Sequence, residues 1–150
     1  MKKLLLGIAA AFTFAQDAPL WMRHSVISPD GTTIAFTYKG DIYTVPVAGG
    51  RAMQITTNPA YDTAPVWSPD SKRIAFASDR MGSLDVYIVA KDGGEPRRLT
   101  THSGSETPLA FTDAGHVLFS AGIMPSAEAV VFPSNGQFNQ VYRVSVEGGR

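Results

Sequence analysis

The side chains best suited to proton transfer or metal binding are His24, His102 and His116, and they lie far apart in sequence. Each stands beside an expected strand boundary, so no shared metal site or triad is expected from them. Asp62 and Glu106 occupy corresponding places in a pattern that recurs along the chain, one acid per copy. They read as solvated loop carboxylates rather than an acid/base pair, which would need two carboxyls in contrasting surroundings. Asp30 and Asp70 each follow Ser-Pro and precede a small residue. Their chemistry is that of a turn, in which the carboxylate accepts a backbone hydrogen bond.

The remaining catalytic signatures are missing. There is no G-x-S-x-G elbow, no H-E-x-x-H helix and no phosphate-binding glycine loop. With no cysteine, thiolate nucleophiles, disulfides and cysteine-ligated metals are excluded. No catalytic, cofactor-binding or metal-ligating set can be assembled. The 13 Lys and Arg balance 13 Asp and Glu with no block of like charge, so the chain carries no field for gripping nucleic acid.

Residues 1–15 differ in character from the remainder of the chain. Lys2 and Lys3 precede the apolar run "LLLGIAAAFTF", and Thr13 and Ala15 supply a small-residue cleavage pattern. This is the form of a secretory signal peptide. Its apolar run is too short for a membrane-spanning helix, which needs about 20 residues. The expected destination is the periplasm, the extracellular space or the cell surface, with no membrane span after cleavage. Residues 16–23 form a lead-in.

From residue 24 onward the chain repeats itself. Ser28-Pro29-Asp30 returns as Ser68-Pro69-Asp70, Ile34-Ala35-Phe36 as Ile74-Ala75-Phe76, Gly49-Gly50 as Gly93-Gly94, and Ile55-Thr56 as Leu99-Thr100. A more divergent third copy runs through "AFTDAGHVLF" and "VYRVSVEGG". A period of 40 to 44 residues suits a four-stranded propeller blade. Within a copy, "TIAFTYK", "DIYTVPV" and "AMQITT" are short, β-branched and aromatic, and bounded by turn residues. The predicted fold is all-β, a β-propeller segment of four-stranded antiparallel blades over 24–62, 63–107 and 108–150, the last incomplete. "IAFA" and "VYIVA" are apolar at consecutive positions, so these strands are expected to be buried on both faces. Trp21, Trp67 and Phe111 read as packing residues.

These segments resemble the repeats of TolB-type β-propellers, and residues 20–150 resemble the N-terminal propeller of secreted tricorn-type serine peptidases. "SPDGTTIAF", "PVWSPDSKRIAF" and "DVYIVAKDGGEPRRLT" carry the likeness. It departs at Ser71, where glycine is usual, and at Thr112-Asp113-Ala114-Gly115, where Ser-Pro-Asp-Gly is expected. The resemblance implies a non-catalytic propeller that helps to select or admit peptide substrates, with the catalytic serine beyond Arg150. A TolB-like module that binds protein and cleaves nothing is the alternative. Propellers have four to eight blades, so the chain reads as truncated. An uncovered blade face forgoes on the order of 9 kcal/mol of burial, which predicts a marginal fragment.

Loop lengths select a functional face. The turns from strand one to two and from three to four are tight. The opposite end carries the lengthening connections from Phe36 to Tyr43, from Phe76 to Tyr87 and from Phe119 to Tyr142. A peptide or protein ligand is expected there, with Asn58, Tyr61, Asp62, Asp79, Arg80, His102, Glu106, Phe132, Asn135 and Phe138 as candidate contacts. The other expected partners are the remaining blades and C-terminal domains of a longer parent chain.

Overall fold

The computed structural model describes residues 21–122 and 139–148. Eleven strands form three antiparallel sheets, and the described residues contain no helix. The first sheet has the order β1 (Arg23–Ile27), β2 (Thr33–Tyr38), β3 (Asp41–Pro46) and β4 (Met53–Gln54). The second repeats it with β5 (Asp62–Trp67), β6 (Arg73–Ser78), β7 (Asp85–Ala90) and β8 (Arg97–Arg98). In the third, β10 (His116–Ala121) lies between β9 (Glu106–Asp113) and β11 (Gln140–Ser145). These are propeller blades, and the sheets do not close into a ring.

The β1–β2 turn is built by the Ser-Pro-Asp signature. The Ser28 hydroxyl donates to Asp30 Oδ1 at 2.5 Å, which also accepts the Thr32 N–H at 3.0 Å, while Ser28 Oγ accepts the Thr33 N–H at 3.0 Å. Ser68, Asp70, Lys72 and Arg73 repeat the arrangement. Asp30 and Asp70 are therefore turn residues. Gly31 takes φ +72°, and Ser71 adopts φ +57° at the same place, a backbone region that favours glycine. Ser71 Oγ in turn accepts the Asp30 N–H at 3.1 Å and so ties neighbouring turns together. In the third copy, Asp113 takes over the turn and accepts the Gly115 N–H at 2.6 Å.

Strand alternation divides the core into two layers. Ile74, Phe76, Tyr87 and Val89 face the first sheet and pack with Ala35, Ile42, Ile55 and Trp67. Ala75, Val86 and Ile88 face the third and pack with Leu99, Val117, Phe119, Ala121 and Val144. The middle sheet is thus buried on both sides, which explains its consecutive apolar residues. Trp67 closes the first layer and donates its indole N–H to the Val26 carbonyl at 3.1 Å. Phe111 is half-buried against the second layer. Trp21, expected to pack, instead lies 69% exposed ahead of β1, where no neighbouring strand covers it among the described residues.

The second and third sheets open on Asp62 and Glu106, slightly ahead of the blade limits expected from the repeat. The Asp62 N–H bonds to the Gly40 carbonyl and the Glu106 N–H to the Leu84 carbonyl, both at 2.7 Å. Each acid is thereby pinned against the β2–β3 or β6–β7 connection of the preceding sheet. Both are pulled inside, which corrects their reading as solvated loop carboxylates: Asp62 is 0% and Glu106 1% exposed.

Candidate functional site

The end of the sheets at the β2–β3 and β6–β7 connections is organised by buried polar groups at repeated positions. In the first sheet that connection is only the turn at Lys39 and Gly40, shorter than the β3–β4 connection over residues 47–52, which corrects the expectation that this end is longer in every copy. Asp41 and Asp85 begin the third strand of their sheets. Thr56 Oγ1 accepts the Ile42 N–H, and Thr100 Oγ1 accepts the Val86 N–H, each at 2.9 Å. Gln54 donates to Asp41 at 3.0 Å, whereas in the second sheet Arg98 pairs with Asp85 at 2.8 Å. Burial raises the Asp41 carboxyl above its ordinary range, opposed by the Thr56 hydroxyl. These four residues were missed as site residues in the sequence. Their signal was there: Thr56 and Thr100 follow the repeated apolar residue, and Asp41 and Asp85 precede another.

Asp62 and Arg80 form the second layer of this end. Arg80 Nη2 donates to both Asp62 oxygens, at 3.1 and 3.0 Å, and Arg80 Nε donates to Ser78 Oγ at 2.8 Å. The guanidinium carbon also lies 4.6 Å from the Tyr87 ring centre and 5.6 Å from that of Phe76. Carboxylate and ring faces together satisfy the cation in a site closed to most water. The connection over residues 79–84 holds it there: the Gly82 N–H closes a turn onto the Asp79 carbonyl at 2.8 Å, and Asp79 Oδ1 accepts the Tyr61 N–H at 2.8 Å. Asp62 and Arg80, proposed as ligand contacts, are committed to each other.

The third sheet repeats the acid without that arginine. Both Glu106 oxygens are buried, and among the described residues neither has a hydrogen bond of good geometry, the Thr100 hydroxyl being the donor that acts on them most. Burial pushes the Glu106 carboxyl above its ordinary range, and Asp85 adds to this. The Thr100 hydroxyl, His102 and Arg98 pull the other way. Glu106 borders a cavity of about 510 Å³ together with Thr100, His102, Phe119 and Tyr142.

The other candidates are scattered over the same end. Asn58 and Tyr61 are exposed, and Asn58 Oδ1 accepts the Ala60 N–H at 3.0 Å. Tyr61 lines an open cavity of about 420 Å³ with Trp21, Arg23, Thr37, Lys39 and Gly40. Phe132, Asn135 and Phe138 lie outside the described residues, as does the signal segment. The histidines are kept apart: His24 Nδ1 is 3.0 Å from Thr63 Oγ1, His102 Nδ1 accepts the Gly104 N–H, and His116 Nδ1 lies 3.0 Å from Asp113. Among the described residues no three metal-ligating side chains gather into a site.

Repeated four-stranded sheets with buried acids at one end and aspartate-capped turns at the other define a β-propeller of repeated blades. Residues 19–150 match the tricorn protease N-terminal beta propeller domain, and the chain belongs to that family. It is 35% identical to tricorn protease homolog 1 of Streptomyces coelicolor over 102 residues, covering 67% of this chain and 9% of that protein. It is 44% identical to the Tol-Pal system protein TolB of Bordetella pertussis over 55 residues, covering 36% of this chain and 13% of that protein. Among solved structures, a putative TolB from Agrobacterium tumefaciens superposes with a TM-score of 0.65 at 21% identity, over 83% of this chain and 45% of that one. The tricorn protease superposes at 0.54 and 17% identity, over 75% and 12%. At these identities the structures speak for the fold alone. The chain thus spans less than a sixth of the length of these curated relatives.

Proposed function

We propose that this chain is the non-catalytic N-terminal propeller portion of an exported tricorn-type serine peptidase, helping to select or admit peptide substrates at the end bearing the long connections. The observation that carries the reading is the family match across residues 19–150. In this reading the propeller's part is binding, and the catalytic serine belongs to the parent outside these residues.

Export rests on the charged, apolar and small-residue order of residues 1–15. Fractionation of the source cells with an antibody against residues 60–100 tests both claims. The expected band is periplasmic or surface-bound, far longer than one propeller, and labelled by an active-site serine probe. A cytoplasmic band, or an unlabelled one with room for a single propeller, overturns the reading. The second of these results would support a TolB-like protein-binding module instead, which the 44% local identity to TolB favours.

A further inference from the structure

The second and third sheets contain the same seat, filled by an arginine paired to its acid in one and, among the described residues, without such a pair in the other. In the second sheet the seat has an acid opening the first strand, Asp62, and a stacked ring pair, Phe76 and Tyr87, with centres 5.9 Å apart. Its outer wall is Thr56-Thr57-Asn58. Arg80 occupies it, held by the Asp62 carboxylate and lying over both rings. The cavity beside Arg80 measures about 260 Å³.

In the third sheet each wall recurs. Glu106 opens β9, Phe119 and Tyr142 are stacked 5.6 Å apart, and Thr100-Thr101-His102 forms the outer wall. Arg80 comes from the connection between the second and third strands. The corresponding connection, residues 122–139, contains no lysine, arginine or histidine in its sequence. Glu106 is 1% exposed, among the described residues neither of its oxygens has a hydrogen bond of good geometry, and the cavity it borders is about 510 Å³. Part of that cavity follows the edge of β11 along Val144, Ser145 and Gly148, and only the end at Glu106 corresponds to the seat of Arg80.

We propose that the cavity at Glu106 is a receptor for the guanidinium group of an arginine side chain in a peptide ligand, which sits in the third sheet as Arg80 sits in the second. The Thr100 hydroxyl, His102 and Arg98 act on Glu106, but none of them pairs with it as Arg80 pairs with Asp62. A buried carboxylate short of such a pair costs free energy until a cation seats on it, and an aromatic floor favours a planar, weakly hydrated cation. Two differences shape the site. Glutamate reaches one carbon further than Asp62, and Ala121 stands where Ser78 supplies the acceptor for Nε. The carboxylate therefore carries the recognition.

This deepens the peptide-admission reading and rests on it only for the word peptide. The test uses the full-length protein with three probes: N-acetylarginine amide, an unstructured arginine-containing peptide, and the same peptide with citrulline, which keeps the shape and removes the charge. Binding is measured by calorimetry for the native protein and for Glu106→Gln. The arginine probes are expected to bind, with a loss of about tenfold or more on changing to citrulline or on Glu106→Gln. Equal binding of the two peptides overturns the receptor while leaving peptide admission standing. Binding of N-acetylarginine amide through Glu106, with neither peptide bound, supports the receptor and removes peptide admission. Failure of every probe overturns the receptor, and is the result expected if a cation from elsewhere in a longer chain fills the seat. Should Glu106→Gln fail to fold, the citrulline comparison on the native protein still decides.

Discussion

Arg80 and Asp62 meet at 3.0 Å across the second sheet, with the Asp62 side chain wholly buried and that of Arg80 12% exposed. The pair joins the connection over residues 79–84 to the strand that opens its own sheet. Removing one member leaves a charge inside the protein. Arg80→Ala is expected to destabilise by about 3–5 kcal/mol, whereas Arg80→Met combined with Asp62→Asn costs less because no bare carboxylate remains. Denaturant unfolding of the full-length variants checks the ordering. Arg80→Ala should also regain stability when N-acetylarginine amide is added, since it opens the seat that Glu106 presents next door.

Ser71 combines a strained backbone with a useful hydroxyl. Its φ of +57° favours glycine, and its Oγ accepts the Asp30 N–H from the neighbouring turn. Ser71→Ala keeps the strain and loses the bond, so it should cost about 1 kcal/mol. Ser71→Gly loses the same bond but relaxes the backbone, and should cost less. A melting series ranks the three, and Ser71→Gly falling below Ser71→Ala would refute the assignment.

Trp67 couples two sheets by packing and by its bond to the Val26 carbonyl. Trp67→Phe forfeits the bond and part of the volume, and should cost more than the roughly 1 kcal/mol of the bond alone. Trp67→Ala should reach about 3–5 kcal/mol. Amide exchange checks the location: protection should fall first in β1 and β5.

Stability against pH contains opposing contributions. The Ser28 and Ser68 hydroxyls, then the Thr32 and Lys72 N–H groups, hold Asp30 and Asp70 below the ordinary carboxylate range. A depressed folded pKa gives stabilisation present above the unfolded value and lost as pH falls through the folded one. Asp30→Asn with Asp70→Asn should therefore lower stability near neutrality and cease to matter in strong acid. Glu106 is raised, chiefly by burial, so its ionisation opposes folding as pH rises through and above the ordinary glutamate range. Glu106→Gln should gain on the native protein over that rise. Unfolding curves at several pH values separate the two signs.

The propeller fold was legible because its determinants are local and repeated. Ser-Pro-Asp builds a turn from neighbouring residues, and "IAFA" reports two covered faces by its own composition. The candidate site was legible only in part. Asp62 and Glu106 precede strands and carry charge, which suggests solvent. Their burial comes from backbone bonds to Gly40 and Leu84, contacts made across sheets that no local pattern encodes. Arg80 was selected as a ligand contact because it stands in a loop. That it completes a cage with Phe76 and Tyr87 is a consequence of strand register, which places these two rings opposite each other.

The central claim is that peptide reaches this protein at the end where Tyr61 and the longer connections lie. The most direct measurement places a photo-crosslinking amino acid at Tyr61, exposed at that end, or at Lys72, exposed on the tight turn at the other, in the full-length protein with an unstructured peptide. Strong crosslinking from position 61 and little from position 72 is the predicted result. Equal crosslinking from both positions, or crosslinking from position 72 alone, would contradict the account.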